Sequence, residues 1–395
     1  MKRTFTGVVS FLIALTLIIS LFLGTAAAVS GTDPVYSAEE LFTDRDLEQT
    51  ADLSDAETII LSSGNDVRIT DAGVYVLSGT VSETTVYVEA ASDAKVQLVL
   101  DGVSITNSSF PCIYVVSADK VFVTTSADSS LSVTGTFTAD GDTKTDGVIF
   151  SKQDLVLNGT AALTVSSADN GIVCKDDLKI TGGTYVIQAQ SKAVEANDSI
   201  RIAGGSFTLT AGTDGLHAEN SEDDTKGYIY IGGGEFTIRA GDDGVHAVSV
   251  LQIDDGALSI TAAEGLEATI IQINGGTINI TASDDGINAA WKSSSYTAAV
   301  IFNDGSITIS MGQGDTDGVD SNGNIYVNGG TVSVTGNSTF DYDGVAEYNG
   351  GTIICNGQQV SAIPNQMMGG GGGWGQQNNG WNQQNGNWGG RGGRR

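Results

Sequence analysis

One short motif recurs through the middle of the chain and limits what it can fold into. Asp-Gly followed by Val, Leu or Ile stands at Asp146, Asp214, Asp243, Asp285, Asp317 and Asp343. Asn170-Gly171, Lys192-Ala193 and Glu264-Gly265 fill the gaps, and the spacing is 21 to 24 residues wherever no insertion intervenes. The longer steps hold insertions, chiefly Asn220–Lys226 and Trp291–Thr297. A fixed period of this size marks a stacked-repeat architecture, because one unit cannot bury its apolar face alone.

Each repeat has the same grammar. Ile271-Gln-Ile273-Asn-Gly-Gly-Thr-Ile278-Asn-Ile280-Thr-Ala282 matches Ile200-Arg-Ile202-Ala-Gly-Gly-Ser-Phe207-Thr-Leu209-Thr-Ala211 and Ile325-Tyr-Val327-Asn-Gly-Gly-Thr-Val332-Ser-Val334. Apolar and polar residues alternate, which is the strand period, and Gly-Gly, Asn-Gly or Asp-Gly marks the turns. A third short strand follows the Asp-Gly anchor, as in Gly215-Leu-His-Ala218. The pattern predicts an all-β fold, a parallel β-helix with three short strands per 21–24-residue coil. A hexapeptide helix would show a six-residue period, a calcium β-roll the absent Gly-Gly-x-Gly-x-Asp, a propeller about 40 residues per blade, and leucine-rich repeats a Leu-rich consensus with helical segments. Only 3 Pro in 395 residues suits strands paired on both edges, where every N–H is used.

The ends differ from the middle. Lys2 and Arg3 precede an apolar run from Val8 to Leu23, followed by Ala26, Ala27 and Ala28. This reads as a signal peptide, with an uncleaved anchor helix as the rival, and no later stretch is long enough to span a membrane. From Met367 the chain is Gly, Gln and Asn with Trp374, Trp381 and Trp388, ending in Arg. Such a composition cannot bury a core. It reads as a flexible tail or as an aromatic contact to glycan or cell wall. The expected organisation is residues 1–28 signal peptide, 29–55 N-terminal segment and cap, 56–362 β-helix and 363–395 tail. The protein is expected outside the cell or on its surface.

Charge narrows the partners. There are 47 Asp+Glu against 18 Lys+Arg, a net charge of −29, which excludes nucleic acid and anionic membrane surfaces. Stacking places equivalent residues about 4.8 Å apart, so sequence columns become ladders. The anchor column runs Asp146, Asn170, Lys192, Asp214, Asp243, Glu264, Asp285, Asp317, Asp343. The residue after each anchor Gly is apolar and expected inside. The next is expected to point out, giving Ile149, Val173, Glu195, His217, His246, Glu267, Asn288, Asp320, Ala346. Asp242, Asp284, Asp315 and Glu219 flank this corner.

Carboxylates at coil spacing repel by about 1 kcal/mol in water and a few kcal/mol at an effective dielectric of about 20. Calcium, bound by six to eight oxygens at about 2.3–2.6 Å, relieves this and fits the spacing. The expected ligands are Asp214, Asp242, Asp243, Glu264, Asp284, Asp285 and Asp317, with Glu195, Glu267 and Asp320 behind them. Turn chemistry alone, with Asp capping its own turn and Gly supplying positive φ, explains each anchor singly but not the acidic column beside it. His217 and His246 share a column. Two His with one carboxylate make a thin transition-metal set, so surface-exposed polar residues are the expectation. Cys112, Cys174 and Cys355 lack CxxC spacing and read as buried free thiols.

The runs Gly215-Leu-His-Ala, Gly244-Val-His-Ala, Gly265-Leu-Glu-Ala and Gly286-Ile-Asn-Ala, with their Gly-Gly strands, resemble a carbohydrate-binding-domain family typified by a clostridial cellulose- and polygalacturonate-binding protein. The resemblance covers about Asp55 to Gly357. It implies a right-handed, polysaccharide-lyase-like β-helix with bound calcium, no established lyase activity, and an acidic or cellulosic polysaccharide as partner. The Trp-rich tail and Lys192 in the acidic column depart from that pattern. His217, His246, Asn288, Trp291 and Tyr296 are the expected glycan contacts, and Tyr228, Tyr230 and Tyr326 are further candidates for exposed aromatics. A lyase would need a base beside calcium, for which Lys192 is the best candidate and Lys292 and Arg239 are weaker. A structural, adhesin-like surface rod is the third reading.

Overall fold

A computed structural model describes residues 35–313 and 316–366. The expected signal peptide, the Trp-rich tail from Met367 and Asp315 lie outside the described residues. The described chain is all-β apart from two one-turn helices, Ala38–Leu41 and Asp44–Leu47. Its strands form three parallel stacks, each strand pairing with its counterpart one repeat away, so the fold is β-helix-like. One coil contributes Asp177–Ile180, Thr184–Ala189 and Val194–Ala196. The next contributes Ser199–Ile202, Ser206–Ala211 and Leu216–Ala218. Their registers are parallel, with Leu178 opposite Ile200, Tyr185 opposite Phe207 and Val194 opposite Leu216.

The period-two pattern sets the faces. In Thr277–Ala282, Ile278, Ile280 and Ala282 are buried while Thr277, Asn279 and Thr281 are exposed. Inward columns stack like on like. Leu178, Ile200, Ile229, Leu251, Ile271, Val300 and Ile325 follow one another in register, and all are fully buried. Each such side chain contributes about 1.5–3 kcal/mol of apolar burial. Tyr185, Phe207 and Phe236 form an interior stack with ring centroids 5.3 and 4.5 Å apart. At one corner, Asn303 donates to Asn274, Asn328 to Asn303 and Asn349 to Asn328, at 2.8, 2.8 and 2.9 Å. This amide ladder satisfies turn side chains coil by coil.

The Gly of each anchor has a different reason from the one expected. None of Gly215, Gly244, Gly265 and Gly286 has positive φ. A Cβ on Gly244 would lie 2.6 Å from the Gly265 carbonyl oxygen of the next coil and would also strike Ile260. Close backbone approach therefore demands Gly here. The Asp likewise reaches to the next coil. The Asp243 N–H donates to Asp214 Oδ1 at 3.3 Å, the Asp317 N–H to Asp285 Oδ1 at 3.0 Å and the Lys192 N–H to Asn170 Oδ1 at 3.0 Å.

Two column assignments are corrected by the register. Gly147 pairs with Asn170 and Ile149 with Ile172, so Ile149 points into the core and Phe150 takes the outward place. Asp146 thus falls one residue before the anchor place, and a one-residue slip moves every side chain to the opposite face. At the other end, Asp317 pairs with Ser338 and Asp320 with Asp341. Asp343 therefore sits in a turn, and Ala346 joins another stack opposite Ile325.

Residues 35–50 lie across the outside of the first stack. Val35 and Tyr36 N–H groups donate to Gln272 and Gln252, and Asn158 donates to the Glu48 carbonyl. Asp46 is fully buried against Lys179 at 2.7 Å and Lys120 at 3.3 Å. Burial pushes its carboxyl up, but Lys179, the Thr43 N–H and Lys120 outweigh it and hold it near 2. Among the described residues no helix is long and apolar enough to cross a membrane.

Candidate functional site

The outward column of the third stack changes character along its length. Arg68, Tyr87, Tyr114, Phe150 and Val173 follow in register from the N-terminal side. Tyr114, Phe150 and Val173 are buried together, with Tyr87 and Phe110 packed on them. Glu195, His217, His246, Glu267, Asn288, Asp320 and Asp341 continue the same column. Each sits mid-strand, with an Ile, Leu or Val on one side and usually Ala on the other facing inward. The side chain can therefore only face outward.

The upper part of this polar run is neutralised from within the chain. Glu195 has Lys175 at 2.7 Å and Lys192 at 3.4 Å, and these hold its carboxyl low against burial. Lys192, the candidate base, is thus in an ion pair. His217 Nδ1 lies 2.8 Å from Asp214, and His246 Nδ1 lies 2.7 Å from Asp243 and 2.8 Å from Glu267. Glu267 also has Lys292 at 2.8 Å. Burial pulls Lys292 down, but Glu267 outweighs this and keeps its amine above the ordinary lysine value, a poor state for a base.

The two histidines are not surface residues as expected. Their exposures are 7% and 9%, and their rings stack at 4.6 Å between centroids. The flanking coils and the i−3 carboxylates close around them, a geometry that period-two reasoning cannot see. Burial opposes the charge on His246, but hydrogen bonds to Asp243 and Glu267 raise it to about 9.

The lower part carries carboxylates of a different kind. Burial, then the nearby Glu267 charge, pushes Glu264 up to about 8, despite the Asn288 amide 3.0 Å away. Burial and Asp284 push Asp285 to about 6, and burial with Asp285 and Asp317 pushes Asp320 to about 7. Asn288 has a buried Oδ1 without a hydrogen-bond partner. Among the described residues none of these three carboxyls has a Lys, Arg or His in an ion pair, and oxygen-rich coordination of a divalent cation would offset their charge. That donor set suits calcium, which takes carboxylate and amide oxygens. Asp242 and Asp284 are exposed beside it, and ligand atoms of Asp214, Asp242 and Asp243 lie within 4.8 Å of one another.

The aromatics separate. Trp291 is 61% exposed, beside Lys292, with its indole N–H donating to the Asn322 carbonyl at 2.9 Å. Tyr296 instead packs with Val35, Tyr36 and Tyr228 on the first stack. Tyr230 and Tyr326 are buried, and Tyr36 stacks on Tyr228 at 4.3 Å. The N-terminal segment covers much of this aromatic face, which the repeat pattern could not reveal because the segment lies outside the repeat. Cys112 and Cys174 are buried, Cys355 is half-buried, and all are free. The buried pair Asp46–Lys179 went unpredicted, since its partners are 133 residues apart.

A parallel coil stack carrying an outward acidic ladder defines an all-β, β-helix-like class of protein. The chain belongs to the carbohydrate-binding domain-containing protein family, whose model matches residues 63–289. It is 36% identical over 132 residues to a carbohydrate-binding domain-containing protein of Acetivibrio thermocellus, a stretch covering 32% of this chain and 46% of that relative. The chain thus spans about half the length of the curated relative it matches. It is also similar to the solved polysaccharide lyase-like protein from C. thermocellum, studied as a gadolinium derivative. That match has 26% identity and a TM-score of 0.42 and covers 79% of this chain and 97% of that one.

Proposed function

We propose that the protein is a secreted, calcium-dependent polysaccharide-binding protein built on a non-catalytic, polysaccharide-lyase-like, right-handed parallel β-helix. The right hand follows from the strong preference of parallel crossover connections. The observation that carries calcium is the set of half-buried carboxyls, Glu264, Asp285 and Asp320, pushed above the ordinary carboxylate range. Asp214, Asp243, Glu195 and Glu267 already have Lys or His partners. The calcium edge is therefore narrower than the acidic column, comprising Glu264, Asp284, Asp285, Asp317 and Asp320, with Asp242 exposed at its upper end. When bound, calcium supplies positive charge to which an acidic glycan can attach. This chain's acids hold the ion, and Trp291 offers an exposed ring for a sugar face.

The second stack supports a cellulosic ligand as well. Ser259, Asn279 and Thr308 lie in register on its exposed face, flanked by Thr261, Thr281 and Ser310. These six residues are uncharged in a protein of net charge −29, although Arg239 continues the flanking row on the preceding coil. Export through residues 1–28 and attachment to a cell wall through the tail belong to the same proposal.

Pull-down on polygalacturonate and on insoluble cellulose, with calcium or with chelator, tests the reading. Polygalacturonate should be retained only with calcium. Retention indifferent to chelator, or no retention of either glycan, would overturn it. Unsaturated product in the same tubes would restore the lyase.

A further inference from the structure

We propose that the stacked histidines mark a second metal site, of zinc type, with Asp243, His246 and Glu267 as its core ligands. Ligand atoms of these three lie within 4.8 Å of one another, and all three residues are buried. His246 Nδ1 faces two carboxylate oxygens at 2.7 and 2.8 Å. A single N–H aligns well with one acceptor and serves the second poorly, whereas a metal ion on that lone pair serves both.

The neighbouring coil repeats the arrangement. His217 is in register with His246, and its Nδ1 lies 2.8 Å from Asp214. That nitrogen is buried, with Asp214 beside it but out of line for a hydrogen bond. The His217 ring, more than nine-tenths buried, stacks on that of His246 at 4.6 Å between centroids. His217 Nε2 faces Glu219 at 3.3 Å, the kind of carboxylate contact that orients metal-binding imidazoles. Lys292 holds the far oxygen of Glu267 at 2.8 Å in the same supporting way.

The donor set separates this site from the calcium edge. Calcium takes oxygen ligands, while imidazole nitrogen with carboxylate suits zinc, copper or nickel. Loading is a simple exchange. His246 gives its Nδ1 proton to solvent, and the ion takes the vacated lone pair. The inference does not rest on calcium or on glycan binding.

The test uses the full chain stripped with chelator and then titrated with zinc by calorimetry in excess calcium. One saturable equivalent is expected, with proton release that scales with the buffer's ionisation enthalpy. His246→Gln should weaken zinc at least tenfold, and Glu57→Gln, an exposed acid at the N-terminal end of the first stack, should leave it within about twofold. The sequence has only 2 His, so 15N shifts of their ring nitrogens on zinc addition report ligation in the unmutated protein, even where a variant misfolds. A lack of saturable zinc binding, displacement by calcium, unmoved histidine shifts, or unchanged affinity in a folded His246→Gln would each overturn the site.

Discussion

At the residue scale, identical-looking acids in one column do different jobs because of what each touches. Asp214 accepts the Asp243 N–H and faces His217, and its carboxyl is held low against burial. Glu264, one coil past Asp243 in register, has an amide hydrogen bond but no ion pair and is pushed up to about 8. Replacing Glu264 by Gln removes a half-buried charge that neighbouring acids oppose. Without metal at pH 8 the variant should therefore melt above the parent, by roughly 2–4 °C for each kcal/mol gained. Its calcium-induced rise should shrink. Paired melting curves with calcium and with chelator read both effects, and a lower chelated melting point for the variant would refute the charge argument.

At the element scale, neighbouring coils approach closely where each third-stack strand begins. Anchor Gly residues permit it, because their missing Cβ leaves room for the next coil's carbonyl. Gly244→Ala should cost about 1–3 kcal/mol or more, since backbone on the neighbouring coil cannot yield as a side chain would. Gly204, in a Gly-Gly turn, has nothing within 4 Å of a built Cβ, so Gly204→Ala should be close to neutral. Urea denaturation of the two variants makes the comparison. Equal losses would mean that conformational freedom rather than close approach selects Gly at the anchor.

At the scale of the whole molecule, the acidic edge couples stability to pH. Glu264, Asp285 and Asp320 have folded-state values raised above the unfolded ones. Carboxyls shifted upward bind more protons in the folded state, so the metal-free fold loses stability as pH rises from about 4 through 8. The imidazolium of His246, raised to about 9, adds stability that is full below about pH 6.5 and fades as pH passes 9. In chelator the melting temperature should therefore fall from pH 5 to 8, and calcium should flatten that slope, most strongly at pH 8. A metal-free melting temperature that rises across the interval would contradict the placement of these carboxyls.

Much of the fold and the membership of the polar column were legible in the sequence. Alternation at period two fixes which face a residue such as Ile280 or Thr281 takes, and the repeat fixes which residue stacks above it. Hence Glu195, His217, His246, Glu267, Asn288 and Asp320 fall in one ladder, as the repeat alone implies. The sequence could not decide the register where the anchor motif and the strand pairing disagree: Gly147 rather than Asp146 pairs with Asn170, which turns Ile149 inward, and Ser338 rather than Asp343 continues the ladder from Asp317. Nor could it decide how deeply the histidines are enclosed, or that residues 35–50 would cover Tyr230. Those outcomes depend on contacts between segments distant in sequence, such as Asp46 with Lys179. Local pattern determines orientation, but only packing determines burial and which charges find partners.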